Sequence, residues 1–418
     1  MSPPRPAFGP FVSLALVAWL AGCGSSGGGT PPAHTVPVTL DQGPAALISS
    51  GTVAANAPFV SVTLCTPGST TACQTIDHVL VDTGSVGLRI VHEALSGAAA
   101  PKAVTDSHSG LPLSECLLFA DGYAWGSVGT ADVTLGGRAM PGLVLQVVGD
   151  PASGAVPSAC SSGNGPDEST VAGFGSNGVL GVGYFLEDCG SFCASQVPSG
   201  GAPFYACSGG GGDQGCTAVT VPTASQPSNP IAQLSSDNNG LQLQFPAVAG
   251  DSATTASGTL ILGIGTEDDN GLGSATLHPV DATDGTLSTS YGGSTFSSSV
   301  IDSGSTAYYF PDSSIPDCPA SGPGNGFYCP AITLAKNATI AGTDGRSVPV
   351  AFSVSNAEQV FGAAPSAAAF PTLGGPFGNL QLPSGTFDWG MPFFFGRSVF
   401  VVFENRSAGS VRGPAIGF

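Results

Sequence analysis

Charge is scarce in this chain of 418 residues. Asp, Glu, Lys and Arg make up 9% of it, and only 9 of those residues are Lys or Arg against 28 Asp and Glu, a formal net charge of −19. A surface of that sign repels nucleic acid and anionic membrane, which excludes functions built on basic patches. Long apolar runs are few, and the one that opens the chain, Phe11 to Leu20, is too short to span a bilayer comfortably. No strand runs into a Gly-x-Ser-x-Gly elbow and no phosphate-cradling glycine loop occurs, so acyl transfer by a nucleophilic serine and nucleotide chemistry lack their usual frame. Cys-x-x-Cys pairs are absent, and His34, His78, His92, His108 and His278 are scattered, which argues against a zinc site. The run "LGIGTEDDNG" lacks the spacing of a calcium loop and reads as a polar hairpin loop.

What is abundant is turn chemistry. Gly at 62 and Pro at 35, with many Ser and Thr and few helical runs, predict a mainly β protein of short strands. The length allows two lobes with real cores. There are 11 Cys, and setting Cys23 aside leaves an even number, as an oxidising compartment favours. Short-range pairing joins Cys65 with Cys73, Cys207 with Cys216 and Cys318 with Cys329, with Cys116 and Cys160 as a further candidate pair. Cys189 and Cys193 are left over, and their pairing stays open.

The first residues read as an address. Arg5, the apolar run and "LAGC" resemble a bacterial lipobox, which implies lipidation of Cys23 after removal of residues 1–22 as a signal peptide. Gly24 after that Cys implies, by the same resemblance, the outer membrane of a double-membrane bacterium. Residues 23–34 read as a flexible tether. Beyond it, residues 35–235 are expected to form a first β lobe and 236–418 a second.

Two near copies carry the chemistry. "HVLVDTGS" ends on Asp82, Thr83, Gly84 and Ser85, and "SSVIDSGS" ends on Asp302, Ser303, Gly304 and Ser305, with the two Asp residues 220 positions apart. One Asp-Thr/Ser-Gly after a strand is ordinarily a turn. Two with the same apolar flanks, a lobe's length apart, point to one carboxylate per half. If the turns meet, the carboxylates cannot both ionise and the pair holds one proton between them. One oxygen then serves as base while another serves as acid. The flanking hydroxyls are placed to donate to the carboxylates or to brace the opposite loop.

Along the chain, "GYAWGSVGTADVTLGG" reads as a glycine-rich hairpin with exposed aromatics, and "NGVLGVGYF" as a buried strand. Residues 151–170 and 187–228 read as long surface loops, and "NPIAQL" as a brief helix. The second half continues through "GTLILGIG" and "GSATLHPV" and finishes with "DWGMPFFFGRSVFVVFE". Taken together, "VDTGSVGLRI", "NGVLGVGY", "IDSGSTAYYF" and that last segment resemble, in order and spacing, the bilobal pepsin-like aspartic proteases, from about Phe59 to Phe418. Bacterial lipoproteins of unknown activity carry a similar pattern.

The resemblance implies a bilobal β fold with a cleft between the lobes. Asp82 and Asp302 would be the catalytic pair, with Thr83 and Ser303 bracing the loops and Ser85 and Ser305 bonding the outer carboxylate oxygens. Gly84 and Gly304 would let each turn close. Tyr123, or Trp125 in an alternative register, would be the aromatic of a flap over the substrate. Arg89 departs from the family, which has an aromatic there as the flap's partner; close to Asp82 it would lower that carboxylate's pKa. The implied activity is hydrolysis of peptide bonds in acid by a water between the carboxylates, acting on a polypeptide laid across the cleft. No cofactor, metal or nucleic acid is expected, the membrane contact is through the N-terminal lipid alone, the protein is a monomer, and activation by removal of a propeptide is not expected. The alternative, from another class, is a pepsin-fold lipoprotein that binds or inhibits without turnover. A glycosidase would need carboxylates about 5–9.5 Å apart, too far for two turns in contact.

Overall fold

Alternating apolar and polar residues in Phe59–Cys65 and Cys73–Asp82 make an antiparallel hairpin in which Cys65 lies opposite Cys73, and a disulfide joins them. The computed structural model in which this is seen describes residues 34–198, 202–378 and 380–418; Cys23 and the segment 1–22 lie outside the described residues.

The second strand of the hairpin delivers Asp82. The chain turns and returns as Val86–Val91, yet these two strands do not pair with each other. Gly178–Val182 is inserted between them, parallel to the first and antiparallel to the second, with Asp82 opposite Gly181. The second half repeats the arrangement. Ser294–Ile301 leads into Asp302, Tyr308–Tyr309 returns, and Asp388–Trp389 fits between them, parallel to one and antiparallel to the other. Gly181 and Gly390 permit this insertion, because a Cβ there would lie 2.7 Å from the Val86 carbonyl carbon and 2.2 Å from the Ala307 oxygen, respectively.

Among the described residues the strands form one sheet of 16 strands, one of 7 and a two-stranded ribbon. The long sheet ties the halves together: Thr35–Leu40 pairs along its whole length with Ala256–Leu262, which continues through Gly240–Gln244 and Ser398–Val402 to Ala415–Gly417. The fold is mainly β and bilobal, with one contiguous apolar core running from Val36 and Val81 to Trp389 and Phe403. In the second half the core is aromatic. Phe387 stacks on Phe310 at 4.8 Å and on Trp389 at 4.4 Å, and the indole N–H of Trp389 donates to the Thr289 hydroxyl at 2.9 Å. Rings of this size dominate core burial, so the strand carrying Asp388 and Trp389 is held firmly in place.

Among the described residues five disulfides close the chain locally, and Cys189 pairs with Cys193. Cys116–Cys160 spans the widest interval, 44 residues, and fastens the strand Leu113–Leu118 to the helix Ser158–Ser161.

Three expectations are corrected. The stretch 187–228 is no plain surface loop, because Phe204–Cys207 is a buried strand paired with Leu113–Leu118; four residues among Gly, Ser and Pro were too short a run to stand out. The aromatics Tyr123 and Trp125 are buried, since Tyr205 on that strand packs edge-on against Trp125. Arg89 turns away to Glu115 at 3.1 Å and Asp188 at 2.8 Å, fully buried. Burial and the neighbouring Asp188 hold the Glu115 carboxyl well above its usual range, against the pull of Arg89.

A buried ion deprived of its partner is costly. Arg89→Met is expected to lower stability by about 3–5 kcal/mol in urea unfolding, and adding Glu115→Leu is expected to recover part of it.

Candidate active site

The two turns are built alike, bond for bond. Gly84 N–H donates to Asp82 Oδ1 and Gly304 N–H to Asp302 Oδ1, each at 2.7 Å. The Ser85 hydroxyl donates to Asp82 Oδ2, and the Ser305 hydroxyl to Asp302 Oδ2 at 2.8 Å. Each carboxylate is thus fixed at both oxygens from its own turn.

The turns also grip each other. Ser303 N–H donates to Thr83 Oγ1 at 2.9 Å and Thr83 N–H to Ser303 Oγ at 3.1 Å, while each hydroxyl passes its proton across, Thr83 to the Ile301 carbonyl at 3.0 Å and Ser303 to the Val81 carbonyl at 2.7 Å. Each hydroxyl donates one bond and accepts one. Asn56 adds a further link: its amide N–H donates to the carbonyls of Thr306 at 2.7 Å and Phe370 at 2.9 Å.

This grip sets the Asp82 and Asp302 carboxyls side by side, each against the glycine of the opposite turn and both lining one cleft. The glycines leave room for it. A Cβ on Gly84 would sit 2.7 Å from the Asp302 carboxyl carbon, and one on Gly304 2.7 Å from Asp82 Oδ1. Burial first, then the charge of Asp82 and that of Asp388, raise Asp302 well above the ordinary carboxylate range.

The pair opens onto a cleft of about 390 Å³, whose floor includes Val179, Thr306 and Tyr309. Its roof is the turn 119–122, between Leu113–Leu118 and the long strand Tyr123–Leu135. Phe119, Ala120 and Asp121 line the cleft, and Phe119 packs edge-on against Phe174 of the short helix Val171–Phe174 at 5.5 Å. Across the opening, Gln381 N–H donates to the Ala120 carbonyl at 2.6 Å. Tyr123 and Trp125 do not line the cleft; they pack with Cys116, Cys160 and Tyr205 behind the hairpin. The aromatics lining the cleft are therefore Phe119, Phe174 and Tyr309. "LLFADGYAW" marks the turn by Asp-Gly, from which Phe119 was recoverable.

A second acid pair stands in the wall. Burial, and then the adjacent Asp121, raise Glu168 to about 8. Sequence reasoning also missed Asp388, a buried carboxyl beside the pair, raised to about 7 by burial and by Asp82 in spite of a hydrogen bond with Ser305. Its signal was one acidic letter in the apolar run "FDWGMPFF".

Two turns of Asp-Thr/Ser-Gly-Ser, each flanked by a strand pair with a third strand inserted, and locked face to face, define a pepsin-like fold. The chain belongs to the family described as Protein of unknown function (DUF3443), whose model matches residues 31–418. No curated protein matches its sequence. Among solved structures it is similar to an aspartic proteinase from Irpex lacteus, at 17% identity over 92% of this chain and 96% of that one, with a TM-score of 0.46.

The grip is testable as a coupled unit. Thr83→Val and Ser303→Ala are each expected to cost about 1–3 kcal/mol, measured by urea unfolding, and the double variant less than the sum because each breaks the other's bonds. The pH dependence of stability follows from the raised acids. In the folded chain Asp388 and Glu168 hold protons up to about 7 and 8, which the unfolded chain releases near its ordinary value of about 4. Their contribution is complete below that lower value and is lost as pH rises through 7 and 8, so the urea midpoint is expected to fall from about pH 5 to about pH 8. Glu168→Gln is expected to flatten the fall.

Proposed function

We propose that the protein is an aspartic endopeptidase of the pepsin type. The observation that supports this best is the pair of carboxyls set side by side, matched bond for bond and open to a cleft of about 390 Å³. Such a pair holds one proton. A water between the carboxyls attacks the peptide carbonyl while Asp82, ionised, takes its proton and Asp302, protonated, donates to the carbonyl oxygen. The tetrahedral adduct then collapses as a proton passes to the nitrogen and the C–N bond breaks. The substrate is an extended polypeptide, admitted when the hairpin tip parts from Gln381. With lobes taken as residues 35–235 and 236–418, each supplies one carboxyl. In this reading the body is a monomer held at the outer membrane by a lipid on Cys23.

A second reading, a module that binds peptides without turnover, is favoured by one observation, the hydrogen bond from Gln381 that closes the tip over the cleft. Digestion of a peptide library separates the two. Asp82→Asn and Asp302→Asn are each expected to reduce cleavage roughly 10²–10⁴-fold; cleavage surviving both would sink the assignment, and a native protein that is protected from unfolding by a statine-type mimic yet never cleaves would favour the module. Activity needs one proton on the pair. It is expected to fail in strong acid, when both carboxyls are protonated, and again at high pH, when Asp302 releases its proton. Because Asp302 is raised, the high-pH limb of kcat/KM is expected above the ordinary carboxylate value of about 4.

A further inference from the structure

One buried cation reaches three pieces of the site at once. Arg89 stands on the strand Val86–Val91, which leaves the turn of Asp82, and its side chain is fully buried. Nη1 donates to the carbonyl of Val86, the residue after Ser85, and to that of Gly87 at 3.4 Å. Nη2 donates to Glu115 Oε1 at 3.1 Å, on the strand that runs into the tip 119–122, and to Asp188 Oδ1 at 2.8 Å, beyond the inserted strand. Gly87 makes the fork possible: its φ is +98°, and a Cβ there would lie 3.0 Å from Nη1. Glu115 is gripped a second time. Gln146, the register partner of Arg89 on the strand Arg138–Val148, donates its side-chain amide N–H to the Glu115 carbonyl at 2.9 Å. Directly across the hairpin lies Gly126, so close on that strand that a Cβ would fall 1.9 Å from the Val147 oxygen.

Past this grip the hairpin arm is fastened to segments outside the strands that carry the carboxyls, by the disulfide Cys116–Cys160 and by Tyr123 N–H to the Pro166 carbonyl at 3.0 Å. Phe119 is reached from Glu115 over roughly 13 Å of extended chain, so a shift at Glu115 is carried to the tip. Stability does not account for the cluster. A buried ion pair is often no stronger than apolar residues of the same volume, and Arg89 Nε, Glu115 Oε2 and Gln146 Oε1 have no hydrogen-bond partner among the described residues. What the guanidinium adds is a rigid plane of donors. We propose that Arg89 is a positioning residue of the site, which through Glu115 sets the hairpin tip over the carboxyls and through the Val86 carbonyl holds the turn of Asp82 beneath it. The inference rests on the reading of Asp82 and Asp302 as a hydrolytic pair. Arg89→Lys keeps the charge but offers no planar fork, so it cannot serve the turn and the hairpin together.

The test compares the native protein with Arg89→Lys and with the double variant Arg89→Met, Glu115→Leu, in which apolar packing replaces the ion pair. On a cleaved peptide, kcat/KM of the double variant is expected to fall about 10²-fold, through a raised KM as well as a lower kcat, and to stay low although the urea midpoint rises above that of Arg89→Met. Arg89→Lys, which serves if the double variant does not fold, is expected to show the same split to a lesser degree. Native kcat/KM in either variant, or activity that returns in step with the urea midpoint, overturns the proposal. Hydrogen exchange gives a reading independent of turnover. The amides of Phe119 and Gln381, bonded to the Gly122 and Ala120 carbonyls, exchange by local opening of the tip and are expected to quicken about tenfold in both variants. A cluster that serves stability alone leaves those two amides at the native rate and quickens only buried ones such as those of Leu260 and Val401 in the shared sheet; that outcome overturns the proposal. If the native protein cleaves nothing, the protease reading fails by itself, and exchange at Phe119 and Gln381 still decides whether Arg89 places the hairpin.

Discussion

Two carboxyls that repel each other when ionised are held in contact, and the structure depends on the force that holds them there. That force is the mutual grip of Thr83 and Ser303, four hydrogen bonds in which each hydroxyl binds the backbone of the opposite turn. Bonds of this sort, buried and fully satisfied, are worth more as a network than singly. They act only because the glycines behind them leave no side chain in the way, and because the inserted strands fix where each turn begins. The sheet shared by the halves and the Asn56 link to Thr306 and Phe370 also hold the turns within reach of each other.

Sequence reasoning reached the parts of this arrangement that are local. Asp82, Asp302 and their flanking hydroxyls could be read because a buried strand ending in Asp-Thr/Ser-Gly-Ser states its chemistry within four residues. The hairpin disulfide Cys65–Cys73 was legible for the same reason, as one short interval closed on itself. What could not be read was set by distant partners. Arg89 sits on the strand after Asp82, but its ions come from Glu115, 26 residues on, and Asp188, 99 residues on. Phe204–Cys207 is a strand because Leu113–Leu118 on one side and Cys216–Ala218 on the other pair with it. Tyr123 lost the place expected of it because the hairpin turns four residues earlier, at 119–122, which puts Phe119 over the carboxyls and Tyr123 behind the sheet.

The same chain that is poor in charge has gathered buried acids around one cleft. Asp82, Asp121, Glu168 and Asp302 line it, Asp388 lies behind Ser305, and no Lys or Arg is among the lining residues. Two cations of the second half are engaged elsewhere. Lys336 meets Asp312 at 3.1 Å, and Arg397 lies over the Phe393 ring at 4.5 Å. With no cation at hand, these carboxyls can be neutralised only by protons or by what enters the cleft. Burial raises Asp302, Asp388 and Glu168, and each is paired with a further acid whose charge adds to the effect. Burial of the carboxyls themselves is thus the leading cause that keeps their protons on. The Gln381 N–H bond to the Ala120 carbonyl holds the hairpin tip over these acids, so the contact that narrows the cleft and the burial that raises the carboxyls lie in one place.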